Sequence, residues 1–337
     1  NTCFVMNNVR FYKEMSCLRC VDIKCQVITP IINYGVNSIE HALREASLKG
    51  MLRYWWRAIT TWDNTEDMFK YESRLFGDSH GIKGKSPLKI KIELEIVQKS
   101  NDDKFAYPLK PHDKQNPVKK NAFPPEQYFN IKFFINENLL NKDIISANDY
   151  EELIKNLMIA TFILGGIGKR TRRGYGSSII KEINGTKLNL HYNNIGDELV
   201  DYLNRICKIV HKREFYQKID NQVIINTSGI ATKYPTIQKI ELGTRSYNNY
   251  DSLLQRISYK SHEIKRKYSN KYIVLGNTNF NIKGIEYQRY GSPIYVSAYK
   301  LNDNLYPIIT TLSMPEDFIG ELPKDADAEK EFKGAIL

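Results

Sequence analysis

Between Gly165 and Gly176 the chain reads Gly-Gly-Ile-Gly-Lys-Arg-Thr-Arg-Arg-Gly-Tyr-Gly, five glycines and four cations in twelve positions. Glycine lets a backbone adopt positive φ and lets a ligand approach the main chain closely. Lys169, Arg170, Arg172 and Arg173 occupy four of five consecutive positions and repel one another unless a polyanion sits among them. The chemistry this favours is the gripping of phosphates. The apolar run Leu153, Ile154, Leu157, Met158, Ala160, Thr161, Phe162 and Leu164 has helical spacing and precedes the glycines. A dinucleotide loop needs its glycines after a strand and before a helix, and a Walker loop needs Gly-Lys-Ser/Thr. Here Lys169 is followed by Arg170, and the expected order is helix, glycine-arginine loop, strand (Tyr175 to Ile183). That order suits a nucleic-acid backbone better than a nucleotide cofactor. A plain helix C-cap needs one glycine rather than five.

A second cationic array falls on a helix expected from about Ile39 to Trp62, with a possible break near Lys49-Gly50. Leu48, Met51, Leu52, Trp55, Ile59 and Trp62 form its core stripe. Lys49, Arg53 and Arg57 are four apart on another face, with Trp56 beside it. Like charges at that spacing destabilise an isolated helix by about 0.2–0.5 kcal/mol per pair. A phosphate would offset this, as would ion pairs to Glu40, Glu45 or Glu72, or side chains lying over the core. Arg289, between Tyr287 and Tyr290, is a further candidate for stacking or phosphate binding, or part of an ordinary turn marked by Gly291 and Pro293. Lys265-Arg266-Lys267 closes a helix, where cations complement the helix dipole, and reads as a solvated face. The candidate RNA-contacting set is therefore Lys49, Arg53, Trp56, Arg57, Gly165, Gly166, Gly168, Lys169, Arg170, Arg172, Arg173, Tyr175 and Arg289. The helix face and the loop are expected to face each other across one cleft.

No catalytic centre, cofactor site or metal site is legible. His41, His80, His112, His191, His211 and His262 fall in unrelated segments, without metal spacing. There is no Gly-x-Ser-x-Gly elbow, and Asp78-Ser79-His80 reads as a polar turn. Cys17 and Cys20, with Cys3 and Cys25 nearby, lack the second matched pair of a zinc site, so free thiols in a reducing, cytoplasmic setting are expected. The 49 Lys and Arg against 38 Asp and Glu give +11, which favours polyanionic partners. The 22 tyrosines add stacking faces, although a composition rich in Asn, Ile and Lys accounts for many of them. Nothing approaches the roughly 20 apolar residues of a membrane span, and the first residues do not form a signal peptide.

The elements needed to position the loop follow from periodicity. Residues 1–20 lack a period and read as an extension. Strands are expected over Val21 to Val27, Leu88 to Ile96, Tyr128 to Ile135 and Tyr175 to Ile183, with helices near Ile39 to Trp62 and Tyr150 to Leu164. Residues 98–127, polar and rich in proline, interrupt this series as a long insertion. The pattern is βαββαβ, a ferredoxin-like or RRM-like unit. A helix from about Asp197 to Gln217 bridges to a second half. Strands near Val223, Tyr272, Ile294 and Tyr306, a helix over Asn248 to Tyr268 and a solvated acidic tail over Glu316 to Glu331 complete it. The expected class is α+β, with a first ferredoxin-like domain over 21–190 and a second over 191–337.

Ile28-Thr29-Pro30, then Ser47-Leu48-Lys49-Gly50-Met51-Leu52-Arg53-Tyr54-Trp55-Trp56-Arg57-Ala58, then Glu72-Ser73-Arg74-Leu75-Phe76-Gly77 resemble the opening of RAMP proteins in the right order. The resemblance is best to first subunits of the Cmr complexes, the type III-B CRISPR effectors. Gly165 to Gly176 is similar to the RAMP glycine-rich loop, and Arg289-Tyr290-Gly291-Ser292-Pro293 to a later Arg-x-x-Ser-Pro segment. The matches span roughly residues 21 to 300. The resemblance implies two ferredoxin-like domains at the head of an antiviral ribonucleoprotein. Its partners would be CRISPR RNA near its 3′ end, the paired target RNA, the backbone RAMP subunits and the neighbouring head subunit. It implies an RNA-binding, architectural role, since target cleavage in the family uses an aspartate of the backbone subunits in the loop after the first strand. In this chain Ile31 to Ser38 offers Asn33, Tyr34 and Asn37 but no carboxylate, and Glu40 lies beyond it. The cysteine-bearing extension departs from the family pattern. The alternative is a metal-independent endoribonuclease of the RAMP type, with His41 or Lys49 as general base.

Overall fold

A computed structural model describes residues 17–33, 43–78, 84–94, 106–108, 110–111, 119–188, 194–268, 275–282, 285–313 and 326–337, without the side chains of 106 and 277–289. Expectations for residues 1–16, for Tyr34, Asn37, Glu40 and His41, for most of the insertion and for a strand at Tyr272 lie outside the described residues.

The first sheet forms around β1 (Leu18–Val27), where Val21, Ile23 and Cys25 turn one apolar row inward. It pairs antiparallel with β5 (Tyr128–Asn136) on one side and β6 (Ser178–Ile183) on the other. β2 (Leu88–Leu94) adds to β5, and the short β7 (Thr186–Lys187) adds to β6. The order β2-β5-β1-β6-β7 is the one a βαββαβ chain produces. Phe129, Ile131, Phe133 and Ile135, at every second position of β5, meet the buried face of α1 (Glu45–Thr60) and of α3 (Ala147–Leu164). Helix α3 is capped by Ser146, whose hydroxyl accepts from the Asp149 N–H. The insertion carries a small hairpin, β3 (Ala106–Pro108) against β4 (Lys119–Asn121).

Three local differences from the sequence reading have physical causes. Helix α1 runs through Lys49-Gly50 unbroken, because tertiary packing outweighs the roughly 0.5–1 kcal/mol that a helical glycine costs. An unforeseen helix, α2 (Thr65–Phe76), follows it, started by the Asn64 side chain accepting from the Glu66 and Asp67 N–H groups. Helix α4 (Ile195–His211) stops early at Lys212, whose φ is +58°, and Tyr216–Lys218 is already strand β8.

The second half continues with β9 (Val223–Asn226), the unforeseen β10 (Thr236–Leu242), α5 (Tyr250–Lys267), the hairpin β11 (Asn277–Ile282) and β12 (Ile285–Tyr290), β13 (Ile294–Leu301) and β14 (Asn304–Ser313). Its sheet runs β13-β14-β10-β9-β8. The trio β13-β14-β10 repeats the arrangement β2-β5-β1. The far edge of β10 is taken by β9, which precedes it in the chain, rather than by a strand following a second helix. The expected plain second βαββαβ unit is corrected to that extent. The expected solvated tail is corrected as well: residues 314–325 lie outside the described residues, but Ala326–Ile336 form helix α6, with Ala328, Phe332 and Ile336 buried in the second core. Lys333, 7% exposed as a side chain, pairs with Glu241 at 2.8 Å and with Glu329 at 2.5 Å.

The larger apolar core is shared by the two halves. One apolar cluster runs from Val21 through Trp55 and α3 to Tyr295 and Leu312. The Ser297 hydroxyl donates to the Ile163 carbonyl (2.5 Å), and the Ala298 N–H donates to the Ser177 hydroxyl (3.0 Å). The packing of α6 leads to an expected outcome. Phe332→Ala empties a fully buried site at a cost of about 3–5 kcal/mol, read as a lowered denaturant midpoint. A midpoint within error of the parent chain would return residues 326–336 to the status of a solvated tail.

Candidate nucleic-acid interface

The loop after α3 is shaped by backbone packed directly on backbone. Gly176 has φ +77°, and a Cβ there would lie 1.9 Å from the Ile167 carbonyl oxygen. Gly166 has φ +83°, and a Cβ there would lie 2.3 Å from the Gly176 oxygen. Both positions therefore need glycine. The Ile167 N–H donates to the Gly176 carbonyl at 2.9 Å, closing the loop on itself. The segment after β1 then clamps it: the Gly176 N–H donates to Pro30 (3.0 Å) and the Lys169 N–H to Ile32 (2.8 Å). The buried Thr29 hydroxyl donates to the Gly174 carbonyl (2.6 Å) and accepts from the Ser177 N–H (2.9 Å). Arg170, with φ +62°, starts a 3₁₀ turn over Thr171–Arg173.

This frame sorts the four cations. Lys169 and Arg170 are exposed. The Arg172 guanidinium lies 4.7 Å over the Tyr295 ring. Gly291 covers it so closely that a Cβ there would stand 2.8 Å from Nη1. The Arg172 Nε–H is buried without a partner. Arg173 donates to the Leu275 carbonyl across the junction, and to the Arg172 carbonyl at 3.1 Å. Arg170, Arg172 and Arg173, with Leu275 and Gly291, wall a cleft of about 420 Å³ between the two halves, to which Lys265 of α5 adds a further cation; Lys169 is not among its lining residues. No carboxylate is among its described lining residues. Burial, and then the neighbouring Arg172 and Arg170 charges, pull Arg173 down to about 10. Burial, and then the Arg173 charge, pull the Lys265 amine down to about 8. Cations that depress one another with no acid at hand leave a strong field for an anion.

The helix face lies elsewhere. The Arg53 Nε–H and an Arg57 Nη1 group reach the carboxylate of buried Glu72 on α2, at 2.5 Å and 3.4 Å. The Lys49 amine donates to the Leu88 carbonyl at 3.3 Å, beside β2, and burial and Arg53 lower it to about 8. None of the three lines the cleft, so the cationic face of α1 and the loop cations do not form the one cleft expected. The pairing with Glu72, one of the alternatives left open by spacing, is what the structure contains. Trp56 is wholly buried and stacks on Tyr71 with ring centroids 5.9 Å apart, so its ring faces the core rather than solvent. Tyr175 is also buried, and its hydroxyl donates to the Pro108 carbonyl of the insertion. Gly165 packs on Trp55, where a Cβ would lie 2.6 Å from the indole. The Arg289 side chain lies outside the described residues. Among the cysteines, Cys20 is exposed and Cys25 buried, and their odd separation on β1 sends them to opposite faces.

Lys265, read from the sequence as part of a solvated face, is exposed as expected and in addition lines the cleft, which the sequence reading did not foresee. The signal was present: Leu254, Ser258, Ser261 and Lys265 recur at four, three and four residues and share one face of α5.

A family model described as the RAMP superfamily matches residues 24–179, from β1 to the start of β6 and including the glycine loop. The CRISPR system Cmr subunit Cmr1-2 of Pyrococcus furiosus is 27% identical over 179 residues, which is 45% of this chain and 90% of that protein. The crystal structure of Cmr1 from Pyrococcus furiosus in its apo form matches with a TM-score of 0.59 at 19% identity, over 94% of this chain and 96% of that one. A chain of the type III-B Cmr-beta complex bound to cognate target RNA and AMPPnP, in the presence of ssDNA, matches with a TM-score of 0.59 at 14% identity, over 94% of this chain and 99% of that one. The fold is shared with these solved structures, and over residues 24–179 the chain is similar to the RAMP superfamily.

Proposed function

We propose that this chain is a non-catalytic RNA-binding subunit of a type III-B CRISPR (Cmr) ribonucleoprotein. It sits at the head of the complex, near the 3′ end of the CRISPR RNA and the paired target RNA, with other Cmr subunits as neighbours. The observation that carries the reading is the acid-free cleft, in which Arg170, Arg172, Arg173 and Lys265 converge from both halves of the chain. The similarity to Cmr1 and to a chain of a target-bound Cmr-beta complex supports the assembly, and the loop after β1, without a carboxylate, supports the absence of cleavage. We read the two halves, 21–190 and 191–337, as two versions of one ferredoxin-like plan, with β9 in the closing place of the second.

Arg172 and Arg173 also tie the halves together, so Arg170 and Lys265 are the cleaner probes. Each neutralised phosphate of a single strand contributes about −0.7 to the slope of log affinity against log salt. Arg170→Ala with Lys265→Ala is expected to flatten that slope by about 1.4 and to weaken binding of CRISPR RNA roughly ten-fold or more, with an unchanged melting temperature. Equal binding by parent and double variant across a salt series would remove the cleft from the interface.

The depressed Lys265 gives a pH dependence of definite sign. In the free cleft its amine keeps its proton below about 8 and loses it above. A bound phosphate raises that value, so binding takes up protons near pH 8 and affinity falls as pH climbs from 7 towards 10. Calorimetry in two buffers of different ionisation enthalpy measures the uptake, and Lys265→Ala is expected to abolish it.

One observation favours the endoribonuclease alternative. The Lys49 amine, held near 8, is in the range of a general base. It is bonded to Leu88 and away from the cleft, and the reading proposed here expects no product from labelled repeat or target RNA incubated with the isolated subunit. Discrete cleavage lost in Lys49→Ala or His41→Ala would establish the enzyme instead.

A further inference from the structure

The two five-stranded sheets have four outer strands, and three of them offer little main chain to another molecule. β7 has two residues and β8 three. β13 is turned against the first half, where its Ala298 N–H donates to the Ser177 hydroxyl. The fourth, β2, runs for seven residues, and among the described residues no strand pairs with its outer side. The Pro87 carbonyl accepts from the Asn136 N–H of β5 at 2.8 Å, so Lys89, Lys91 and Glu93, at alternate positions, direct their main chain to β5. Leu88, Ile90, Ile92 and Leu94 therefore turn their N–H and C=O groups outward. Leu88 is covered: its carbonyl accepts from the Lys49 amine (3.3 Å) and the Ser86 hydroxyl (3.0 Å), and its N–H donates to that hydroxyl (3.1 Å). Past Leu88 the edge has no such cover, and the Ile92 and Leu94 side chains are only half-buried.

Cations stand on both sides of this edge. Lys89 and Lys91 are exposed on the outer face of the sheet, and on the helix side Lys49 lies beside Leu88 with Arg53 as its charged neighbour. Lys91 pairs with Glu93 at 2.6 Å, but no described carboxylate pairs with Lys89 or Lys49. Two β2 strands from two copies of this chain, paired antiparallel, would set lysine against lysine, which is unfavourable across a ladder. An acidic strand meets no such barrier. We propose that the edge of β2 takes an added strand from another protein, an extended segment with acids opposite Lys89 and beside Lys49 and apolar side chains against Ile92 and Leu94. In such an addition main-chain bonds, here at Ile90, Ile92 and Leu94, supply affinity, and alternate side chains supply selectivity. Single-stranded RNA matches the charge, but it has no regular alternation of donors and acceptors to meet the outward groups. The docking is independent of the phosphate cleft and gives the chain a second kind of contact.

The test uses a fluorescein-labelled peptide as long as β2, Val-Thr-Val-Glu-Val-Glu-Glu-amide, which in antiparallel register sets its acids opposite Lys91 and Lys89 and beside Lys49. A second peptide has the same sequence and charge but is N-methylated at its third and fifth residues, where the N–H groups would face Ile92 and Ile90. Binding of each to the purified full chain is followed by fluorescence anisotropy at low salt. The parent chain is expected to bind the first peptide at least about ten-fold more tightly than the methylated one. Ile92→Pro removes an outward N–H and leaves the ladder to β5 intact, so it is expected to abolish that preference at an unchanged melting temperature. Leu94→Pro serves the same purpose if Ile92→Pro does not fold. Equal binding of both peptides by the parent, binding of neither, or a preference that survives a folded proline variant overturns strand addition. A dimer of the parent that dissociates in the proline variant gives the edge to a second copy instead. Loss of oligouridylate binding, and not of peptide binding, in Lys89→Glu gives it to RNA; either result also overturns the proposal.

Discussion

The architecture depends on a contact between two stretches of main chain that leaves no room for side chains. The turn from Gly165 to Gly176 closes on its own carbonyls, and the strand end from Thr29 to Ile32 is bonded along it. With its backbone satisfied in this way, a loop of high charge density is rigid. Arg172 and Arg173 are held in place by Tyr295 and Leu275, so a ligand meeting them would cost less side-chain entropy than one meeting mobile cations. The resemblance of Ile28-Thr29-Pro30 and of the glycine loop to the same family has a common origin in this geometry: the two segments form a single structural unit.

From that unit the junction between the halves is built. Arg172 lies between the Tyr295 ring and Gly291, and Arg173 is bonded to Leu275, so the loop of the first half is locked into the second half by the same kind of residue that could hold a phosphate. Trp55, 5.1 Å from Tyr295 between ring centroids, continues the lock into the shared core. A guanidinium buried on an aromatic face keeps its charge while losing water, and its field is screened less than that of a surface arginine. Structural and ligand-facing roles therefore fall to neighbouring positions of one short turn.

Much of this was legible in the chain. Periodicity placed β2 and β5 to within a residue or two, and the apolar spacing of α3 was strong enough to fix its position before the glycines. The phosphate-gripping reading of residues 169–173 rested on charge density, a local property. Relations between distant segments were less legible. The cationic face of α1 was left open between a phosphate and an acid such as Glu72, because Glu72 belongs to a helix whose start depends on a single Asn64 cap. Trp56 was placed beside the cations by helical geometry, but a second apolar layer, contributed by Tyr71 and Phe76, buries that side of the helix as well. Residues 316–331 were judged by their acids, although Ala328, Phe332 and Ile336 recur at helical spacing and Lys333 finds two carboxylates. In each case a partner remote in sequence decided the outcome.

The insertion leaves the first sheet at the end of β2 and returns at the start of β5, two strands that pair directly from Leu88 with Ile135 to Leu94 with Phe129. It is, topologically, an enlarged hairpin turn. Lengthening such a turn costs only about 0.6 kcal/mol per doubling and does not disturb the register beneath it. The insertion can thus vary in length and composition while the register of the sheet beneath it stays the same. In engineering terms it is an exchangeable cassette on a fixed scaffold.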